Sequence, residues 1–177
     1  MKILDRLPYS KKHSTLIVRQ ELVTVKPYQI IIWVSLSPSN LREWNPATPA
    51  FPAILDVGNN HNFLISQSQV IRWAGIQPEF LRVLGAPRLE GKRLKTHEAD
   101  VWLHSNWKGR HVMRTDRTPF RLNLDEGIII RPDEDLSRTH LPLLGLRALT
   151  DNELVTTIDG AHLEATIQTA RKKWWPW

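Results

Sequence analysis

The 177 residues contain no cysteine, which excludes a disulfide framework, a thiolate zinc site and a thiol nucleophile. No apolar run approaches the roughly 18 residues that a membrane-spanning helix needs. Residues 1–10 lack the apolar core of a secretion signal, so a soluble, cytoplasmic setting is expected. There is no glycine-rich phosphate loop and no Gly-x-Ser-x-Gly elbow, which removes P-loop and α/β-hydrolase chemistry. Aromatics are scarce at 8%, yet eight of them are tryptophan, and Trp174, Trp175 and Trp177 crowd the last four positions.

What is present fits one domain. Hydrophobic residues make up 41% and charged residues 24% of the chain, and a chain of this length buries about 70% of its unfolded surface on folding. One core can therefore hold it together without a metal. Lysine and arginine total 24 against 18 acidic residues, giving a net charge of +6, so acidic partners are favoured electrostatically.

Residues 1–14 are polar and basic without a sustained period, which predicts a loose lead-in. Imperfect alternation over 15–25 and the run of β-branched and aromatic residues over 28–36 predict strands. Four prolines over 37–52 predict a surface loop. Over 66–75 a helix-period face of Val70, Ile71, Trp73 and Ala74 lies between possible caps at Ser66 or Ser68 and a closing Gly75. A second short helical segment is expected from Pro78 to Gly85. Short apolar alternations over 86–124 read as hairpins, and 127–131 reads as a strand ahead of the acidic loop Asp133, Glu134, Asp135. Residues 141–149 read as an apolar strand that breaks at Gly145 into a helical turn. Asp159-Gly160 marks a hairpin between 154–158 and 162–167. The fold class expected is all-β dominated, with one or two short helices.

The most informative point is Asp56. The apolar strand Ala53-Ile54-Leu55 delivers it to the turn Val57-Gly58-Asn59-Asn60, and an aspartate after an apolar strand sits in a partly dry site. Gly58 permits close backbone approach there. A second apolar strand, Leu143-Leu144, ends in Gly145. Peptide hydrolysis without a metal or a nucleophilic side chain needs water polarised by one carboxylate while a neutral carboxylic acid donates to the carbonyl oxygen. Two aspartates must share one proton, because like charges about 3 Å apart cannot both ionise. The chain offers one such aspartate and is too short for two lobes. The second carboxylate would then be Asp56 of a symmetry-related copy in a self-complementary dimer.

These residues carry a resemblance. The segment Ala53-Ile-Leu-Asp-Val-Gly-Asn-Asn-His-Asn-Phe63, with Ile65-Ser66 and Trp73-Ala74-Gly75-Ile76, is similar to the active-site strand, loop and helix of retropepsin-like aspartic proteases. Leu143-Leu144-Gly145-Leu146 resembles that family's hydrophobic-hydrophobic-Gly motif. The likeness spans residues 28–167, with the middle matched by strand pattern alone. It implies a closed β-barrel over 15–170, a homodimer, Asp56 as catalytic residue within the loop Val57, Gly58 and Asn59, support from Leu144 and Gly145, a peptide or protein substrate, acid-side activity and no cofactor. Residues 85–98 occupy the place of the flap. Two departures stand out. Family members carry Thr or Ser where this chain has Val57, so a hydroxyl that ties the two active-site loops together is absent. Asn59 replaces a small residue, and its amide is expected to donate to Asp56.

Rival readings come from the same residues. A dimer on this fold that binds peptide without cleaving it follows from Val57. A nucleic-acid-binding β-domain follows from the arginines and lysines over 88–121, interleaved with Trp102 and Trp107, although a solvated face of hairpins is the preferred account of that stretch. His97, His104 and His111 recur every seven residues, a spacing that puts strand neighbours on opposite faces, so no metal site is expected. Asp125-Glu126-Gly127 reads as a turn. The basic, tryptophan-rich segment 171–177 reads as a tail packed on its own or a neighbouring subunit.

Overall fold

Extended segments rich in β-branched residues dominate the computed structural model, which describes residues 1–39, 43–89, 91–133 and 140–170. In chain order its elements are β1 (Lys2–Pro8), β2 (Ser14–Val18), β3 (Glu21–Val25), β4 (Ile31–Ser37), β5 (Ala50–Asp56), β6 (Phe63–Ser66), α1 (Gln67–Gln69), β7 (Val83–Gly85), β8 (Arg88–Leu89), β9 (Lys92–Arg93), β10 (Thr96–His97), β11 (Asp100–Leu103), β12 (Phe120–Leu122), β13 (Ile128–Arg131), β14 (Leu143–Gly145), α2 (Leu146–Asp151), β15 (Leu154–Asp159) and β16 (Glu164–Thr169). The chain is thus mostly β with few helices, as its composition of short alternating segments predicts.

The central sheet has nine strands in the order β12-β11-β4-β5-β14-β6-β13-β10-β7. Most neighbours run antiparallel, but β5 and β14 are parallel, and so are β6 and β13. Strands buried on both faces read as continuous apolar runs, and this explains Ile31 to Leu36 and Phe63 to Ile65, where all but Trp33 are buried. The interior gathers Ile32, Val34, Phe51, Phe63, Trp73, Leu103, Ile128 and Leu144. The sheet does not close among the described residues. Its outer strands β12 and β7 have three residues each and no register with one another, so the closed barrel implied by the resemblance is not found.

The lead-in expected at residues 1–14 is also corrected. Strand β1 pairs with β16 in a three-stranded sheet with β15, and Ile3, Leu4 and Leu7 are buried. Burial of three large aliphatic side chains contributes several kcal/mol, on the order of 2 each, which together with the pairing to β16 offsets the cost of ordering the segment. The loop expected over 37–52 ends sooner than predicted, since β5 begins at Ala50 and Pro52 pairs with Trp33 inside it. The helical segment after β6 starts with a capping box, Ser66 Oγ accepting from Gln69 N–H while Gln69 Oε1 accepts from Ser66 N–H. It continues as a π-helical turn and stops at Gly75, whose φ of 71° is left-handed. The tail 171–177, with Glu134 and Asp135 of the acidic loop, lies outside the described residues.

Candidate active site

Asp56 stands at the last position of β5, at the sheet's C-terminal rim, where it is half-buried. Its neighbour across the parallel pair is Gly145, the last residue of β14, with Leu144 beside Leu55 and Leu143 beside Ile54. The two motifs singled out in the sequence, some ninety residues apart, are therefore adjacent strand ends. The Asp56 carboxylate accepts from the Gly58 N–H at 3.1 Å, and its carbonyl accepts from the Asn59 N–H at 3.1 Å. This turn geometry fixes the carboxylate. A Cβ on Gly58 would stand 3.4 Å from Asp56 Oδ1, an ordinary van der Waals contact.

The loop 57–62 is clamped onto the end of β14. Gly145 N–H donates to Asn62 O at 3.0 Å, and Leu146 N–H donates to Asn59 O at 2.8 Å. The reason only glycine fits at position 145 is packing rather than a special φ. A Cβ there would meet His61 O at 1.9 Å and Asn59 O at 2.7 Å. Because α2 starts at Leu146 directly after this contact, the helix, the Leu-Leu-Gly strand and the Asp56 turn form one braced unit. Buried Asn62, whose side-chain oxygen and nitrogen have no partner among the described residues, lies inside it.

The role expected for Asn59 is corrected. Its side-chain oxygen accepts from His61 N–H at 3.0 Å, and no bond joins its amide to Asp56 among the described residues. A residue at the start of a tight loop satisfies the nearest free donor, and His61 N–H is only two residues away. Val57 is exposed at 43% and points no hydroxyl at any neighbour. Within the segment 85–98, Arg88–Leu89 and Lys92–Arg93 pair as β8 and β9, Gly91 is left-handed at φ 82°, and Arg88, Lys92, Arg93 and Lys95 are exposed. A cavity of about 540 Å³ lies beside it among Leu81, Leu94, Lys95, His97 and Ile130, and its lining does not include Asp56.

The three histidines at seven-residue spacing are held apart in their roles. His97 sits on β10 with Nδ1 3.4 Å from Leu81 O, while His111 lies in the exposed connection between β11 and β12. His104 follows β11 and pairs with Ser35 Oγ at 2.8 Å in a dry cluster. That cluster is a feature the sequence reading missed. Trp44 packs edge-on against His104 and at 5.3 Å against Trp102, whose Nε1 donates to Ser37 Oγ. Beside it Arg121 pairs with Asp100 at 2.9 Å. The period-two spacings Ser35/Ser37 and Asp100/Trp102/His104 place all of them on one sheet face, which was the available signal. Burial pushes the His104 ring down to about 4, so it is neutral at pH 7.

No family model, no curated protein and no solved structure matches the chain.

Proposed function

We propose that the chain is a retropepsin-like aspartic endopeptidase that works as a homodimer. The observation that carries this reading is the parallel juxtaposition of Asp56 with the Leu-Leu-Gly strand, which holds one half-buried carboxylate at a braced turn. A carboxylate so fixed is half of an acid–base pair. Two copies related by a two-fold axis complete it.

In the complete site the two Asp56 carboxyl groups share one proton. The ionised one takes a proton from the water bound between them, and the hydroxide attacks the scissile carbonyl carbon. The neutral one gives its proton to the carbonyl oxygen as the tetrahedral intermediate forms. Collapse of that intermediate breaks the C–N bond: the departing amine takes the proton first removed from water, and a hydroxyl of the diol returns its proton to the carboxylate that gave one, restoring the shared proton. The cations of the segment 85–98, in the place of a flap, favour substrates with acidic side chains.

A second reading rests on Val57. With no hydroxyl to brace the two loops across the dimer, the same cleft would bind peptide without cutting it. Cleavage of a peptide mixture at acid pH, measured for the wild type and Asp56→Asn, decides between them. The peptidase reading expects the substitution to abolish turnover, a loss of at least about a hundredfold for removal of an acid–base group. Equal rates would dismiss catalysis by Asp56.

A further inference from the structure

The connection between β11 and β12, residues 104–119, is a built surface rather than slack chain, and the peptidase reading does not use it. Its base is Asn106, buried at 5% exposure and joined by a bridge to Met113. The Asn106 side-chain oxygen accepts from Asp5 N–H at 2.9 Å. Its nitrogen faces the carbonyl oxygens of Asp5 at 3.2 Å and of Trp107 and Arg110 at 2.9 Å. A tight turn closes the tip, with Arg110 N–H donating to Trp107 O, Gly109 left-handed at φ 69°, and Gly109 N–H donating back to Asp5 O at 3.0 Å. The tip is therefore locked to β1 from both ends.

What this frame displays is chemically specific. Trp107 is 46% exposed, and the Arg114 guanidinium lies 4.3 Å from its ring centroid. Asp116 in turn holds Arg114 at Nε by a 2.9 Å bond. Arg114 packs over the indole and holds it in place, while nearly half of Trp107 stays open to solvent. Around it Lys108, Arg110 and Arg117 are exposed and have no ion-pair partner among the described residues. Asp116 is the sole carboxylate in the segment, against four cations.

We propose that this hairpin binds single-stranded nucleic acid, with a base stacked on Trp107 and phosphates held by Lys108, Arg110 and Arg117. Stacking on an aromatic ring needs an unstacked base, which a single strand offers and a duplex hides, and flanking cations supply the sequence-independent attraction to phosphates. The exposed apolar surface of the tip is confined to Trp107 and Val112, too little to hold the domain on a lipid bilayer by insertion. The charge pattern and the single open ring therefore favour a strand over a membrane surface.

The test is fluorescence anisotropy of a labelled oligouridylate of about twelve nucleotides with the full-length chain across a salt series. The expected results are an affinity that falls with salt, a loss of about tenfold for Trp107→Ala with an unchanged salt slope, and near-wild-type binding for Trp107→Phe. The combined Lys108→Ala, Arg110→Ala and Arg117→Ala variant is expected to lower the slope by about 2. Trp107 and the three cations are exposed, so these variants keep the fold. Affinity unchanged by both sets of substitutions overturns the proposal, because binding then resides elsewhere, as in the basic tail. Equal affinity for a duplex of the same sequence overturns it as well. So does co-sedimentation with phosphatidylserine vesicles that these substitutions abolish while the oligonucleotide fails to bind.

Discussion

Gly145 lies beside Asp56 in parallel register, and the space a Cβ would take on Gly145 is already filled by the carbonyl oxygens of His61 and Asn59. These are backbone atoms of the loop that follows Asp56, so nothing at the contact can swing away. Gly145→Ala must push the loop off the strand, breaking the bonds from Gly145 N–H and Leu146 N–H. The expected cost is large for one methyl group, about 3 kcal/mol or more. A urea unfolding curve checks it. A midpoint within error of the wild type would show that the loop is not braced on β14.

Val57 gives the opposite kind of substitution. It is exposed at 43% beside the catalytic candidate, so Val57→Thr changes little in the isolated fold, within about 0.5 kcal/mol. If two loops meet across a dimer axis there, the added hydroxyl supplies the missing brace. Turnover is expected to rise and the dimer to persist to lower concentration, as read by cleavage rate and by sedimentation across a dilution series. A rise in neither would separate position 57 from the dimer contact.

The pH dependence follows from His104. Its folded-state pKa, lowered by burial to about 4, lies below the unfolded value near 6.5. The unfolded chain therefore binds a proton that the folded one refuses. The contribution of His104 to stability is constant above about pH 6.5 and falls as pH drops toward 4, by about 1.4 kcal/mol per pH unit and on the order of 3 in all. Burial also lowers His97 and His111, which steepens the same fall. Ser35 and Trp44, the groups that pack on His104, carry no charge to offset it. If the Asp56 site works on the acid side, it works where the fold is least stable. His104→Gln is expected to flatten the stability curve between pH 6.5 and 4 and to extend activity downward, measurable by thermal melts and initial rates on one buffer series.

Much of this was legible in the sequence, and the failures have local causes. The Asp56 turn and the Leu-Leu-Gly strand could be read because each places an unusual residue at the end of an apolar run. Their register could only be seen in three dimensions. Strand β1 was hidden because its alternation is broken: the register slips between Lys2 and Leu4 and again before Leu7, and Arg6 is left-handed at φ 49°. Ile3 and Leu4 are consequently buried side by side, a pattern no strand period produces. Pro52 looks like a loop residue in sequence, yet it lies where β5 pairs with β4 alone, since β14 reaches only to Ile54, so one edge there makes no demand on its missing N–H. The hairpin at Asp159-Gly160 opens wider than a two-residue turn, with Asp159 facing Glu164. Asn106 could not have been singled out at all, because its partner Asp5 is 101 residues away.

If one site is built from two copies of Asp56, mixing intact and disabled subunits reveals it. Wild type and Asp56→Asn are combined in varying ratio at constant total chain, allowed to exchange subunits, and assayed for peptide cleavage at acid pH. A site that needs both carboxylates predicts activity falling as the square of the wild-type fraction. A linear fall, or cleavage undiminished in pure Asp56→Asn, would contradict it.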